Sequence, residues 1–218
     1  MIDLHTHTLL SDGVLVPSEL AQRAAAAGYT ALGITDHADT GTLEAVVSST
    51  LRVCADLAAT LDYEVVPGVE ITHVPPPLIP KTVERARQLG ARLVVVHGES
   101  LVEPVAASTD RAAVEAGCDL LAHPGLIDEA TVSLAAEAGT FLEISARAGH
   151  SLGNGHLVSL ARRLGAIELL VVSSDAHRPG DLLTESSRRA VCRGAGLNEA
   201  ESDQVGRNAE ALLRRVTG

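Results

Sequence analysis

Aromatic residues are nearly absent from this sequence: Tyr29, Tyr63 and Phe141 are the only ones among 218 residues, and there is no tryptophan. So few rings cannot form the stacking platform on which single-stranded nucleic acids bind. The net charge of -11 also argues against a basic groove for a phosphate backbone, although bound divalent cations would make a site locally positive. We therefore do not expect a nucleic-acid polymer as a partner.

Cysteines are also scarce, and none is close to another. Cys54, Cys118 and Cys192 form no C-x-x-C pair, and each lies in or beside a segment that reads as a helix or a buried strand. Buried free thiols are therefore expected, which suits a reducing compartment. Neither a signal-like leader nor an apolar run of about 18 residues is present, so we expect a cytoplasmic protein with no membrane partner.

Apolar runs and helical patterns alternate along the whole chain, and no linker divides it, so one domain over residues 1–218 is predicted. Strands are predicted at the start of the chain and over 31–34, 64–69, 92–96, 119–122, 140–144 and 168–172. Helices are predicted over 17–27, 43–61, 79–89, 110–116, 127–138, 157–164, 182–195 and 198–216. A surface loop is expected at 75–77, where three prolines are consecutive. The alternation predicts an α/β fold with a parallel sheet.

Histidines and carboxylates follow nearly every predicted strand. His5 and His7 are two residues apart, so in an extended segment they face the same side and can bind one metal ion. The complete set of metal-ligand candidates is His5, His7, Asp12, His37, Glu70, His97, His123, Asp175 and His177. In a barrel of parallel strands, these ends meet at the C-terminal rim, where active sites lie. Grouping so many ionisable side chains is costly unless cations compensate them.

Nine candidates exceed the four ligands that one zinc ion usually takes, so two or three divalent ions are predicted, with Glu70 as the bridging carboxylate. Imidazole and carboxylate ligands without thiolate fit Zn, Mn or Fe. The residues proposed as catalytic are Glu70, Asp175 and His177. The absence of a Gly-rich phosphate loop after the first strand argues against an open nucleotide-binding sheet.

These motifs resemble the PHP (polymerase and histidinol phosphatase) superfamily. The resemblance rests on His5-Thr6-His7, Ser11-Asp12-Gly13, Thr35-Asp36-His37, Pro67-Gly68-Val69-Glu70, His97, Ala122-His123-Pro124 and Ser174-Asp175-Ala176-His177, and runs as far as Pro179. It implies a distorted seven-stranded (β/α) barrel, similar to a TIM barrel, with a trinuclear site. It assigns His5, His7, Glu70 and Asp175 to one metal. Glu70, His97 and His123 would hold the second metal, and Asp12, His37 and His177 the third.

Substrate recognition is not covered by the resemblance. Arg147 and Arg178 follow the last two predicted strands and are candidates for phosphate binding, because a planar guanidinium suits that group. A salt bridge to an acidic residue is the alternative for each arginine. His150 lies in a predicted loop that could touch the substrate, and His73 is assigned a structural role. Glu143 and Asp36 are expected to orient ligand histidines.

The reaction implied is hydrolysis of a small phosphate ester by a hydroxide that bridges two metals, with a phosphomonoesterase such as a histidinol phosphatase favoured. Three alternatives remain: a phosphodiesterase or nuclease acting on a small nucleotide, an amidohydrolase-like C–N hydrolase, and a non-catalytic metal-binding module. The amidohydrolase class commonly bridges its metals with a lysine at the fourth strand. Here that position is His97, and Lys81, the only lysine, is predicted to lie in a helix.

Overall fold

A sheet of parallel strands forms the centre of the computed structural model, which describes residues 1–218. The strands are β1 (Ile2–Asp3), β2 (Ala31–Ile34), β3 (His37–Ala38), β4 (Glu64–Ile71), β5 (Leu93–His97), β6 (Leu120–Ala122), β7 (Phe141–Ser145) and β8 (Leu170–Ser173). Seven of them follow the order β1-β2-β4-β5-β6-β7-β8, and β3 pairs with β4 beyond the end of β2. The predicted seven-stranded α/β barrel is therefore confirmed.

The additional strand, β3, results from an interruption at Thr35 and Asp36. The Asp36 carboxylate accepts hydrogen bonds from Thr8 N, Thr8 Oγ1 and Ser11 Oγ, each at 2.7 Å. Asp36 therefore binds the loop after β1. The chain resumes pairing with β4 at His37, in register with Glu70.

The first and last strands close the barrel through backbone and side-chain contacts. Thr6 forms a parallel bridge with Ala176, and His7 N donates to Ala176 O at 2.9 Å. The buried Asp3 carboxylate accepts from Ser174 N at 3.2 Å and from His5 N at 3.3 Å. Closure brings the segment after β1 alongside the segment after β8, and both segments carry ligand candidates.

Eight helices surround the sheet. They are α1 (Pro17–Ala26), α2 (Leu43–Ala58), α3 (Ile79–Gln88), α4 (Thr109–Glu115), α5 (Glu129–Ala138), α6 (Asn154–Leu164), α7 (Glu185–Gly194) and α8 (Glu199–Thr217). All eight were predicted, and the largest differences, three residues each, are at the end of α2 and at the starts of α6 and α7. Helix α7 begins three residues later than expected because Thr184 accepts a hydrogen bond from Ser187 N and so caps the helix there.

The loop predicted at Pro75–Pro77 is wrong in part, because Pro76–Leu78 form a short 3₁₀ helix. A helix of this length needs a single backbone donor, and Leu78 N supplies it to Pro75 O at 2.8 Å. The fixed φ of proline also suits the first turn of a helix. The missing N–H groups therefore do not prevent helix formation in so short a segment.

The core consists of aliphatic side chains between the sheet and the helices, as the scarcity of aromatic residues required. A smaller cluster includes Leu4, Val95 and Leu120 of the strands with Leu212 and Val216 of α8. Helix α8 thus packs against the barrel and leaves the carboxyl ends of the strands free for the site. All three cysteines are buried free thiols, as predicted. None of the helices combines the length and apolar character needed to cross a membrane.

Replacing Asp3 with alanine should weaken barrel closure. The change leaves the buried N–H groups of Ser174 and His5 without their acceptor, and each loss costs about 1–3 kcal/mol. The free energy of unfolding, measured with urea, should therefore fall by roughly 2–5 kcal/mol. Asp62→Ala makes the same chemical change at an exposed position and should have little effect. Equal stability of the two variants would show that Asp3 does not hold the strands together.

Candidate metal centre at the carboxyl ends of the strands

Imidazoles and carboxylates from six segments converge at the carboxyl ends of the strands. His5 and His7 follow β1, His37 begins β3, Glu70 lies in β4, His97 ends β5, His123 follows β6, and Asp175 and His177 follow β8. Most of these side chains are buried, and His5, His7 and Glu70 have no exposed surface. His123 and Asp175 adopt positive φ angles of 28° and 51°, which are uncommon outside glycine and typical of functional positions.

The first predicted ligand group is brought together. His5 Nε2 lies 3.0 Å from His7 Nε2 and 3.3 Å from Glu70 Oε2. His7 Nε2 lies 3.3 Å from Asp175 Oδ1 and 3.5 Å from Glu70 Oε2. Two ligands of one tetrahedral zinc ion, at ordinary bond lengths, are about 3.3–3.6 Å apart. The spacing therefore fits ligands that share a cation.

In three of the histidines, a hydrogen bond made by one ring nitrogen determines that the other ring nitrogen faces the centre. His5 Nδ1 donates to Glu143 Oε1 at 2.7 Å, His97 Nδ1 to Gly98 O at 3.0 Å and His177 Nδ1 to Asp175 O at 2.9 Å. Carboxylate and carbonyl oxygens only accept, so Nδ1 carries the hydrogen in all three rings. When such a ring is neutral, its Nε2 atom presents a lone pair, which is the metal-binding form of histidine.

Glu70 provides a further test of whether a cation fits. Its carboxylate is completely buried, and neither oxygen accepts a hydrogen bond of good geometry, although His37 Nδ1 lies 2.7 Å from Oε2. Buried carboxylates are normally hydrogen-bonded, paired or bound to metal. Oε2 faces His5 and His7, while Oε1 lies 3.6 Å from His123 Nε2. Its two oxygens are therefore placed to bridge cations, and divalent ions fit this donor set.

The third predicted group also forms one cluster. Asp12 Oδ1 lies 3.0 Å from His177 Nε2 and 3.5 Å from His37 Nε2, and His7 lies in the same group. The Asp12 side chain is 56% exposed, so it is the ligand candidate of this group that solvent can reach. Asp36 holds the loop that carries Asp12 by accepting hydrogen bonds from Thr8 and Ser11. It forms no hydrogen bond with a ligand histidine, although the sequence predicted that it would orient one.

The second predicted group is only partly brought together. Glu70 lies close to His123. His97 belongs to two compact groups, in each of which the possible donor atoms all lie within 4.8 Å of one another: one contains His97, His123 and His150, and the other His73, His97 and Glu103. Neither group contains Glu70. His150 was expected in a loop near the substrate. It is instead buried at the start of a short 3₁₀ helix (His150–Gly153), and its ring stacks on that of His123 with centroids 4.0 Å apart.

Charges within the centre are strongly coupled. Burial alone would raise the pKa of Glu70, but the imidazoles of His5 and His37 hold it well below its ordinary value. Burial opposes protonation of His5, yet the carboxylates of Glu143 and Glu70 raise its pKa well above its ordinary value. Burial raises the pKa of Asp175. A cation that binds here must displace the proton of His5, so metal affinity should increase with pH.

Two residues of the site were missed or misjudged in the sequence. Glu103 lies after β5, with Oε2 3.0 Å from His97 Nε2 and 3.3 Å from His73 Nε2. A hydrogen bond from His97 lowers the pKa of Glu103 to about 2. His73, assigned a structural role, stacks on His97 with centroids 5.2 Å apart. His73 lies two residues after β4, but that strand was predicted to end at residue 69, and Glu103 lies six residues after β5. Only the general rule that loops at this rim carry the site could have indicated them.

A cleft of about 640 Å³ lies beside the centre, and its lining includes Asp12, Arg147, His177 and Arg178. Arg147 Nη1 donates to Asp175 O at 3.3 Å, and its Nε lies 3.9 Å from Asp175 Oδ2. Its guanidinium is therefore held where the centre meets the cleft. Lys81 lies exposed on α3, as the sequence predicted.

The sequence matches a known protein family and a relative of nearly the same length. A family model described as "PHP domain" matches residues 3–173. An uncharacterized protein of Methanocaldococcus jannaschii is 42% identical over 217 residues, covering 98% of this chain and 99% of that protein.

Proteins with described activities that resemble this chain differ in what they act on. A 5'-3' exoribonuclease of Salmonella typhimurium is 39% identical over 72 residues, covering 33% of this chain and 22% of that protein. A 3',5'-nucleoside bisphosphate phosphatase of Chromobacterium violaceum is 34% identical over 107 residues, covering 42% of this chain and 38% of that protein. The crystal structure of a histidinol phosphate phosphatase of Lactococcus lactis, in complex with zinc, L-histidinol and phosphate, has a TM-score of 0.60. It covers 90% of this chain and 94% of that chain at 15% sequence identity, which shows a shared fold.

Glu143→Gln should weaken metal binding without unfolding the protein. Glu143 accepts from His5 Nδ1 through Oε1 and from His123 N through Oε2 at 3.0 Å. The amide of glutamine has one acceptor oxygen, so only one of the two donors keeps its partner. Loss of an outer partner of this kind typically lowers metal affinity about 10–100-fold. Zinc titration of the two proteins measures the change.

Glu137→Gln, at an exposed position of α5, is the matched control and should bind zinc like the parent. If Glu143→Gln binds zinc as tightly as Glu137→Gln, then Glu143 does not orient a ligand.

Proposed function

Because the chain belongs to the PHP domain family, we propose that it is a metal-dependent phosphoesterase acting on a small phosphomonoester. The observation that carries the proposal is the convergence of buried Nε2 atoms and the Glu70 carboxylate next to a cleft with two arginines. By their names, two of the compared proteins are phosphatases of small phosphorylated substrates, and a third is an exoribonuclease.

We assign two or three divalent ions to the centre, held by His5, His7, Asp12, His37, Glu70, His97, His123, Asp175 and His177. When bound, such ions would lower the pKa of a water molecule and offset negative charge on phosphoryl oxygens. The protein's own part is to hold the donors rigidly, since side chains that are fixed in advance need not reorganise during the reaction. Glu143 and the Gly98 carbonyl do this for His5 and His97.

Arg147 is proposed to bind the substrate phosphate. Its guanidinium borders both Asp175 and the cleft, so a phosphate in the cleft could reach it and the centre together. A planar guanidinium can form two parallel hydrogen bonds with phosphate oxygens. Arg178 lies further out in the same cleft and is exposed, so we assign it to the rest of the substrate.

A panel of substrates with the zinc- or manganese-loaded protein tests the proposal. p-Nitrophenyl phosphate should be hydrolysed faster than bis-p-nitrophenyl phosphate, and amide and carboxylic ester substrates should not be hydrolysed. Preference for the diester would identify a phosphodiesterase. Hydrolysis of amides alone would favour the amidohydrolase alternative, and no turnover of any substrate would contradict the proposed enzyme.

Arg147→Ala should lower kcat/KM for p-nitrophenyl phosphate and leave metal content unchanged. Losing one charge-assisted contact, about 1.5–3 kcal/mol, corresponds to roughly 10–150-fold. Arg147→Lys should recover only part of this loss, because an ammonium group cannot reproduce the two parallel bonds. Steady-state kinetics and elemental analysis of each variant supply the measurement.

Arg163→Ala is the control, since Arg163 lies on α6 with its side chain 63% exposed and pairs with Glu129. If Arg147→Ala is as active as Arg163→Ala, Arg147 serves only as an ionic partner of Asp175, and binding of the substrate phosphate does not depend on Arg147.

A further inference from the structure

We propose that Glu103 is a metal ligand, and that together with His150 it completes the donor set of the ion held by His97 and His123. The inference rests on the metal centre of the proposed function and adds two donors to the residues at the strand ends. Glu103 supplies a carboxylate beside His97, whereas Glu70 lies beside His123 and shares no compact group with His97.

The distances around Glu103 are those of ligands on a common ion. Oε2 lies 3.0 Å from His97 Nε2, and Oε1 lies 3.4 Å from His150 Nε2. His97, His123 and His150 form one compact group of possible donor atoms. Glu103 approaches two of these imidazoles, those of His97 and His150, and also lies in a second group with His73 and His97. Three imidazoles and this carboxylate would make a four-donor set of the kind that zinc favours.

The contact between His97 and Glu103 is one that either a proton on His97 Nε2 or a shared metal ion satisfies. His97 Nδ1 carries a hydrogen because it donates to the Gly98 carbonyl, so in the neutral ring Nε2 presents a lone pair to Glu103 Oε2. Two acceptor atoms 3.0 Å apart repel each other unless a proton or a metal ion lies between them. A metal ion bound by both side chains would satisfy both acceptor atoms.

The loop that carries Glu103 is built against the segment that carries His150. Ser100 Oγ lies 2.6 Å from His150 Nδ1, which leaves His150 Nε2 facing Glu103. Val102 packs on Gly149, where a Cβ atom would lie only 3.2 Å from the valine side chain. Gly149 also has a φ of 89°, which glycine adopts readily. These contacts fix both donors in one place.

Glu103 differs from the other three donors in exposure. Its side chain is 37% exposed, whereas those of His97, His123 and His150 are 2%, 1% and 5% exposed. Glu103 is therefore the member of the set that solvent or a substrate can displace. Catalytic zinc sites keep one position that exchanges. His73, which is half-exposed and 3.3 Å from Oε2, is placed to orient the carboxylate from the outside.

Calorimetric titration of the metal-stripped full chain with Zn²⁺, at one fixed neutral pH, tests the inference. The parent should bind more than one ion. Glu103→Gln should weaken one binding step by more than the roughly 100-fold seen when outer partners are lost, and should leave the other steps unchanged. His150→Ala should weaken the same step. The visible spectrum of bound Co²⁺ should change in both variants, because it reports on the atoms that bind the ion.

Glu99→Gln is the control, since it removes one negative charge from the same loop away from the histidines, where Glu99 accepts from Asp110 N. If the parent binds several ions and Glu103→Gln binds them like Glu99→Gln, the ligand assignment is overturned while the proposed function stands. If the parent binds no metal, both are overturned.

Discussion

Three buried histidines present their Nε2 atoms to carboxylates or to another imidazole, because Nδ1 of each ring is already committed to an oxygen that can only accept. The resulting distances are 3.0 Å from His5 to His7, from His97 to Glu103 and from His177 to Asp12. At these distances a proton or a shared cation must lie between the facing atoms, and divalent ions are the cations that this donor set fits. The rest of the structure serves to hold this arrangement: Glu143 fixes His5 and the backbone of His123, and Asp36 fixes the loop that carries Asp12.

Much of the fold and part of the site could be predicted from the sequence, and the family match confirms the resemblance drawn from the motifs. Short apolar strands ending in His or Asp are local signals, and parallel closure makes those ends meet. The break between β2 and β3 was not visible, because it depends on a contact between Asp36 and residues 25–28 positions earlier. Likewise, the proximity of Glu103 to His97 depends on how the loop after β5 packs against the segment at Gly149, and no periodicity encodes such packing.

His150 shows most clearly why ligand sets are difficult to derive from motifs. In the sequence it lies among glycines, a composition typical of an exposed loop. In the structure, those glycines allow close approach instead: a Cβ atom at Gly153 would lie 2.6 Å from Gly125 O, next to His123. The glycines thus allow His150 to lie against His123 and be buried, so that a side chain expected at the substrate stacks on a candidate metal ligand.

Crystals grown with zinc and measured at the zinc absorption edge would test the central claim most directly. The account predicts more than one anomalous peak, and up to three, with the Nε2 atoms of His5, His97 and His177 at about 2.0–2.1 Å from a peak. The account would be contradicted if any of these rings bound its ion through Nδ1. It would also be contradicted if the centre showed no anomalous peak, because the imidazoles would then pair with carboxylates through protons alone.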